Sequence, residues 1–266
     1  MKTVCLHDRG RIEAFLRRNV YLHLYGIGDL DDHYWPHTTW YALVDGEEVK
    51  AMALMYSGVP EPTLLALGED EKIPFLRELL SSIVGLLPRH FYGHLSAPLS
   101  SVLAEHYKVI SYGEHFKMAL VDPDAVTGID SPDVVELSSG DAEALLAFYA
   151  ESYPNHSFEP CMLETNRYYG VRGPGGLISA AGVHVYSERY SVAALANVAT
   201  HPEHRRRGLG RAVVSELCGN LLRTVDHVGL NVKAANTAAV DFYESLGFRA
   251  VASYEECQMV SGCSSG

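Results

Sequence analysis

The stretch His201–Arg211, reading His-Pro-Glu-His-Arg-Arg-Arg-Gly-Leu-Gly-Arg, restricts the fold of this chain more than any other. It follows an apolar, β-prone run, Tyr190–Thr200, and leads into Arg211–Arg223, where Ala212, Val213, Leu217, Leu221 and Leu222 recur at helical spacing. The expected order is strand, tight basic loop, helix. Gly208 and Gly210 lack Cβ atoms, so the backbone there can take unusual dihedrals and let a bulky ligand approach its N–H groups. At a helix N-terminus those donors are unpaired and the dipole is positive, a combination that suits an anion such as pyrophosphate. Three consecutive arginines beside a Gly-x-Gly also fit a solvated surface turn, and the flanking residues must decide between the two.

The flanking residues favour the anion site. Arg205-x-x-Gly208-x-Gly210 resembles the (Gln/Arg)-x-x-Gly-x-(Gly/Ala) signature of the GNAT acetyltransferase superfamily. Upstream, Val198-Ala199-Thr200-His201-Pro202 resembles the end of that family's fourth strand. Downstream, Asn236 followed by Thr237–Phe248 resembles its second signature, an Asn and then a helix ending in Tyr-x-x-x-Gly-Phe. The resemblance covers roughly Asp133 to Val260. It implies an α/β (α+β) fold with a mixed, mostly antiparallel central sheet flanked by helices.

One such unit leaves half of the 266 residues unused, and domains of about 100 to 200 residues favour two. In the first half, Asp8 is a plausible N-cap for a helix through about Leu24. Trp40–Val44 and Val49–Tyr56 read as strands around an Asp45–Glu48 hairpin turn. Thr63–Leu67 is a strand, Ile73–Leu87 a helix, His90–His94 a strand, Leu99–His106 a helix and Phe116–Val121 a strand. This order repeats that of the second half, which has a strand at Val134–Leu137, a helix from Asp141 to Ser152, an irregular segment Ser152–Glu164, and strands at Tyr168–Val171 and Leu177–Ser187. After the basic-loop helix come a strand at His227–Val232, the helix Thr237–Leu246 and a last strand at Arg249–Met259. The expected organisation is therefore two tandem GNAT-like units: residues 1–127, a diverged unit without a cofactor loop, residues 128–260, the acetyltransferase unit, and a flexible tail, 261–266. Asp122–Pro132 has linker composition. Where the second half carries its basic loop, the first carries Glu69-Asp70-Glu71, carboxylates that support a helix N-terminus but repel a pyrophosphate.

A net charge of −12 argues against nucleic acid as a partner, and the arginines concentrated at Arg205, Arg206, Arg207 and Arg211 suit a small anionic ligand instead. Five cysteines without a Cys-x-x-Cys pair point to neither a zinc site nor a disulfide framework. The 13 histidines lack the short groupings of a preformed metal site, so no metal is expected. No signal-like h-region and no run of 18 apolar residues occurs, and the expected location is the cytoplasm, away from membranes.

The resemblance also implies a cosubstrate, acetyl-CoA or another acyl-CoA, and a set of contacts. The loop Arg205–Arg211, including Leu209, takes the pyrophosphate. The strand end Val198, Ala199 and Thr200 pairs with the pantetheine arm and the thioester carbonyl. Asn231 and Asn236 are candidates for further polar contacts. Tyr243 is implied as the general acid that protonates the departing thiolate, although its spacing on an amphipathic helix also fits a core tyrosine. Many relatives place a glutamate on the fourth strand, but Tyr190–Thr200 contains no carboxylate, which leaves the general base unassigned. Glu151, Glu159, Glu164 and His184 are nearby titratable groups without a clear role. The expected function is acyl-CoA-dependent acylation of a small-molecule or peptide amine, with the first half shaping the acceptor site. The alternative is a non-catalytic acyl-CoA sensor.

Overall fold

The computed structural model describes residues 1–127, 133–154 and 156–261. The boundary expected near Gly128 and the tail after Ser261 fall outside them. In chain order the first elements are β1 (Lys2–Cys5), α1 (Arg9–Leu16), α2 (Leu24–Gly28), β2 (Thr38–Asp45), β3 (Glu48–Tyr56) and β4 (Thr63–Ala66). Then follow α3 (Ile73–Ile83), β5 (His90–Leu95), α4 (Ser100–Leu103), β6 (Tyr107–Leu120), β7 (Val134–Glu136), α5 (Ala142–Ser152) and β8 (Tyr169–Gly173). The last are β9 (Gly176–Ser187), β10 (Val192–Thr200), α6 (Leu209–Leu221), β11 (His227–Lys233), α7 (Thr237–Glu244) and β12 (Phe248–Ser261). Two compact units result, each assembled from more than one chain segment: unit 1 from Met1–Lys117, Val232–Asn236 and Ala250–Gly266, unit 2 from Met118–Asn231 and Thr237–Arg249.

In unit 1 the strands lie in the order β1, β2, β3, β4, β5, β12, β6. β4 and β5 are parallel, whereas β1 to β4 pair antiparallel in sequence and β12 runs antiparallel to β5 with Glu256 opposite His94. The β2–β3 hairpin turns at Gly46, whose φ of +60° is the left-handed conformation that a tight turn needs. Side chains alternate across a strand, so Phe91 and Leu95 of β5 join Cys257 and Met259 of β12 on one face. There they pack with Leu76, Leu79, Leu80 and Ile83, the buried stripe of α3, in one core.

Two expected elements come out differently. The helix read from Asp8 to Leu24 begins as expected, with the Asp8 carboxylate accepting from Arg11 N–H at 3.0 Å, but α1 stops at Leu16. A 3-10 turn follows, and the Asn19 side chain accepts from Leu22 N–H, a local bond that competes with helix continuation. The strand read as Phe116–Val121 runs from Tyr107 instead. Its first part sets Val109 and Ile110 side by side and carries Gly113 at φ +92°, leaving no regular apolar alternation to read, and cross-strand pairing holds it.

Unit 2 has the order β11, β10, β9, β8, β7, with β10–β11 parallel and the other pairs antiparallel. A capping box of Ser138 and Asp141 starts the turn into α5. Leu145, Phe148 and Tyr149 of α5 then pack with Tyr168, Leu177 and Ala180. The mixed, mostly antiparallel sheets flanked by helices are those expected from the sequence. Among the described residues no helix is long and apolar enough to cross a membrane.

Stability of unit 1 carries a pH signature. Asp29, at the C-terminus of α2, is only 7% exposed, and burial pushes its carboxyl up to about 8 from 3.8. The folded state therefore holds a proton that the unfolded chain releases above pH 3.8, and its contribution to stability is lost as pH rises towards 8. Asp29→Asn should flatten the fall in urea midpoint between pH 4 and pH 8. An unchanged slope in that variant would show that another group causes it.

Candidate functional site

The basic loop stands where the strand ladder opens. Parallel pairing of β10 with β11 covers Val192–Leu195 and His227–Leu230, while on its other edge β10 stays paired with β9 as far as Thr200. From Ala196 to Thr200 the edge of β10 towards β11 is free of that ladder, so its backbone groups are available to an extended partner. At the end of the strand His201 N–H donates to Ile178 O at 2.9 Å, and a 3-10 turn, Pro202–His204, leads into the arginines.

Gly208 is the N-cap of α6, with φ +82°. No protein atom lies within 4 Å of where its Cβ would stand, so the space before the helix is open. The first amides of α6, those of Leu209, Gly210 and Arg211, have no intrahelical acceptor and carry the positive end of the dipole. Arg205, Arg206 and Arg207 are exposed around this opening. Arg205 Nε donates to Thr200 O at 3.1 Å, tying the loop back to β10. Arg211 is used differently: its guanidinium donates to Ser245 Oγ at 2.8 Å and fastens α6 to the end of α7. Thr200 Oγ1 lies 2.9 Å from Ser179 Oγ, and a Cβ on Gly210 would come within 3.3 Å of it. The first turn of α6 thus sits directly over the end of β10.

The corresponding place in unit 1 is built differently. β4 and β5 remain paired to Ala66 and Leu95, Ser96 N–H then donates to Ala66 O at 3.0 Å, and Gly68 N–H donates to Ser96 Oγ at 3.0 Å. A Cβ on Gly68 would lie 2.7 Å from Leu76 Cδ1 and 2.9 Å from Lys72 Cβ. Leu76 and Lys72 thus stand where a side chain at Gly68 would go, and the small pocket left beside them is lined in part by Phe15, Leu22 and the acidic Glu69.

Tyr243 projects from α7, half-buried, with its ring edge-to-face against Phe242 and Phe248 at centroid distances of 5.2 and 5.7 Å. Burial, and then the neighbouring Tyr153 and Cys218, push its phenol well above the ordinary 10, so it is protonated at physiological pH. Among the described residues none takes its hydroxyl as a hydrogen-bond partner. The following Gly247 has φ +84°, and a Cβ there would lie 2.2 Å from Asp122 O, which explains a glycine before Phe248 in the sequence pattern.

Val198, Ala199, Thr200, Arg205–Arg211, Asn231 and Tyr243 all belong to unit 2, with Asn231 near the end of β11. Asn236 is counted in unit 1, exposed, its N–H on Lys233 O at 2.9 Å. Sequence reasoning missed Tyr153, and it missed Asn197, the one amide in an apolar strand run and therefore a readable signal. Of the titratable neighbours, Glu151 faces His201 Nε2 at 3.6 Å, while His201 Nδ1 accepts from Glu203 N–H at 3.4 Å. Through Nδ1, His201 caps the turn that leads into the arginines.

Unit 1 gathers two histidines that look scattered in the sequence. His94 and His115 donate from Nε2 to the two oxygens of Glu256, at 3.0 and 2.7 Å. Burial pushes the Glu256 carboxyl up, but these bonds outweigh it and hold it far below the usual carboxylate range. Lys117, buried between the rings of Tyr25 and Tyr254, is pushed down to about 7 by burial. Among the described residues no group of three or more His, Cys, Asp or Glu side chains could hold a metal ion.

Residues 174–258 match the FR47-like protein family. A 57-residue stretch is 47% identical to the [ribosomal protein bS18]-alanine N-acetyltransferase of Escherichia coli K12, covering 21% of this chain and 38% of that protein. The chain thus spans well under half the length of the curated relatives it matches. Among solved structures, a GNAT-family acetyltransferase from Novosphingobium aromaticivorans superposes with a TM-score of 0.58 at 22% identity, over 79% of this chain and 88% of that one. A tandem GNAT protein from the clavulanic acid biosynthesis pathway superposes with a TM-score of 0.56 at 15% identity, over 99% of both chains. At these identities the structural likeness concerns the fold.

Proposed function

We propose that the C-terminal half of this chain is a GNAT unit and that the protein is an acyl-CoA-dependent N-acyltransferase, moving acetyl from acetyl-CoA to a primary amine by direct attack. The observation that carries this reading is the opening of β10 after Leu195, which runs straight into a positive-φ glycine at a helix N-terminus. The donors present fit the cosubstrate. Amides of Leu209 and Gly210 and the side chains of Arg205, Arg206 and Arg207 suit its pyrophosphate, with Arg211 bracing the helix. The free edge of Val198, Ala199 and Thr200 suits the amides of its arm, and Asn231 and Asn236 are further polar candidates. In the reaction the amine nitrogen bonds to the thioester carbonyl carbon, the carbon–sulfur bond breaks, and the ammonium proton is lost to solvent or an unassigned base. Tyr243 keeps its hydroxyl proton at neutral pH and can pass it to the departing sulfur.

The acceptor is a primary amine on a small molecule or a peptide. Similarity to an enzyme named for a ribosomal-protein alanine supports including peptide N-termini. The sequence halves 1–127 and 128–260 are proposed as tandem GNAT-like units, the first without a cofactor, in keeping with the packed surroundings of Gly68. Four free cysteines among the described residues suit a reducing, cytoplasmic setting. A second reading, an acyl-CoA sensor, draws on the absence of a carboxylate from β10. Thiol release from acetyl-CoA, followed against alanine-initiated peptides, polyamines and amino sugars, separates the two. Amine-dependent release well above hydrolysis is expected; tight binding with no turnover on any amine class would favour the sensor.

A further inference from the structure

We infer that Asn197 is a positioning residue for acyl transfer, pinning the irregular segment around Ser157, whose aromatic and polar residues suit a wall of the acceptor pocket, to the open edge of β10; this rests on the acyltransferase reading above. In β10 Ala196 pairs with Gly182 and Ala199 with Ala180, so three steps along β10 match two along β9. The extra residue makes a bulge, which re-aims the backbone after it. Asn197 sits in that bulge with φ +54°, a left-handed conformation that Asn tolerates better than the apolar residues around it. The bulge lies between Ala196 and Ala199, one residue beyond Leu195, where the β11 ladder ends.

Every polar group of its side chain is occupied. Oδ1 accepts from Ser157 N–H at 3.1 Å and from the Ser157 hydroxyl at 3.3 Å, and Nδ2 donates to Tyr168 Oη at 3.1 Å. Tyr168 in turn donates to Val183 O at 3.2 Å, and the Tyr149 hydroxyl donates to the Asn197 backbone carbonyl at 2.7 Å. Asn197 is 5% exposed. A Cβ at Gly182 would lie 2.2 Å from the Tyr168 ring, so the sheet leaves that position bare for it. The rings of His156 and Phe158 pack on Tyr149 at centroid distances of 5.1 and 5.4 Å, holding both neighbours of Ser157. A backbone in an unfavourable region, fixed by buried hydrogen bonds from three other chain segments, marks an over-determined site rather than a slack one. Its effect is to set the irregular segment at a defined distance from the strand edge that carries Val198 and Thr200. Acceptor alignment should depend on it, because displacement of about 1 Å can cost on the order of 10²-fold in rate.

The test uses the full chain. Asn197→Gly keeps the left-handed conformation and deletes the clamp; Tyr168→Phe is a milder cut that leaves both Ser157 bonds and removes the Nδ2 acceptor together with the bond to Val183 O. We expect kcat/KM for the best amine to fall about 10- to 100-fold in Asn197→Gly, and in the same direction but less in Tyr168→Phe, with acetyl-CoA affinity changed less than about threefold. Hydrogen exchange at the Ser157 amide should quicken by at least about tenfold in Asn197→Gly without any substrate present. A lower Tm with unchanged kcat/KM per folded molecule would reduce Asn197 to a packing residue and overturn the inference, as would unchanged Ser157 exchange. Absence of turnover in the unaltered protein would overturn the acyltransferase reading and, with it, the positioning role, leaving quickened exchange as evidence of a structural clamp alone.

Discussion

Titrating acetyl-CoA into the Gly208→Asp variant should give no detectable heat of binding, where the unaltered protein gives one site per chain. Two effects combine. Any L-residue at φ +82° is strained, by roughly 1 to 2 kcal/mol, because Cβ crowds the following carbonyl. That cost alone leaves a folded protein, since no neighbouring atom lies within 4 Å of the added Cβ. The carboxylate then occupies the open space before α6 and opposes any phosphate placed there. One like-charge pair at about 5 Å and an effective dielectric near 20 costs about 3 kcal/mol, or about two orders of magnitude in affinity. Gly208→Ala bears the strain without the charge and should lose far less. A folded Gly208→Asp protein with unchanged affinity would remove the loop from the cofactor site, and two equivalent sites in the unaltered chain would show that unit 1 also binds the cosubstrate.

Tyr243→Phe should lower kcat by about 10²- to 10⁴-fold while leaving acetyl-CoA affinity nearly unchanged. The ring stays, so its contacts with Phe242 and Phe248 persist, and only the proton donor is lost. In energy this is roughly 3 to 5 kcal/mol of transition-state stabilisation. A tyrosine held only for packing predicts the reverse: a change in Tm and little change in turnover per folded molecule. Both quantities should be read on one preparation. A fall in kcat of less than about threefold with the best acceptor would end the assignment of Tyr243 as the acid.

Local chemistry by itself determined the element types, the β10–loop–α6 junction and the residues gathered there. Strand-prone runs, helical spacing and turn residues are short-range signals, and Tyr190–Arg223 carried all three in succession. The Asp45–Glu48 hairpin and the Asp8 cap were legible for the same reason. The start of β6 was not, because its irregular, glycine-broken first part depends on neighbouring strands for its hydrogen bonds. Pairing is a long-range property. Nothing in Phe248–Ser261 announces that its later residues pair with β5, more than 150 positions earlier, or that Glu256 meets His94 and His115 there. Within the site, sequence pointed to the glycine loop, to the open strand end by resemblance, and to Tyr243. The tertiary structure decided that Arg211 braces Ser245, that Gly208 faces open space while Gly68 is packed, and that Asn197 ties Ser157 to a bulge. These outcomes turn on which groups meet across distant segments, and a one-dimensional pattern holds no record of such meetings until the chain has packed.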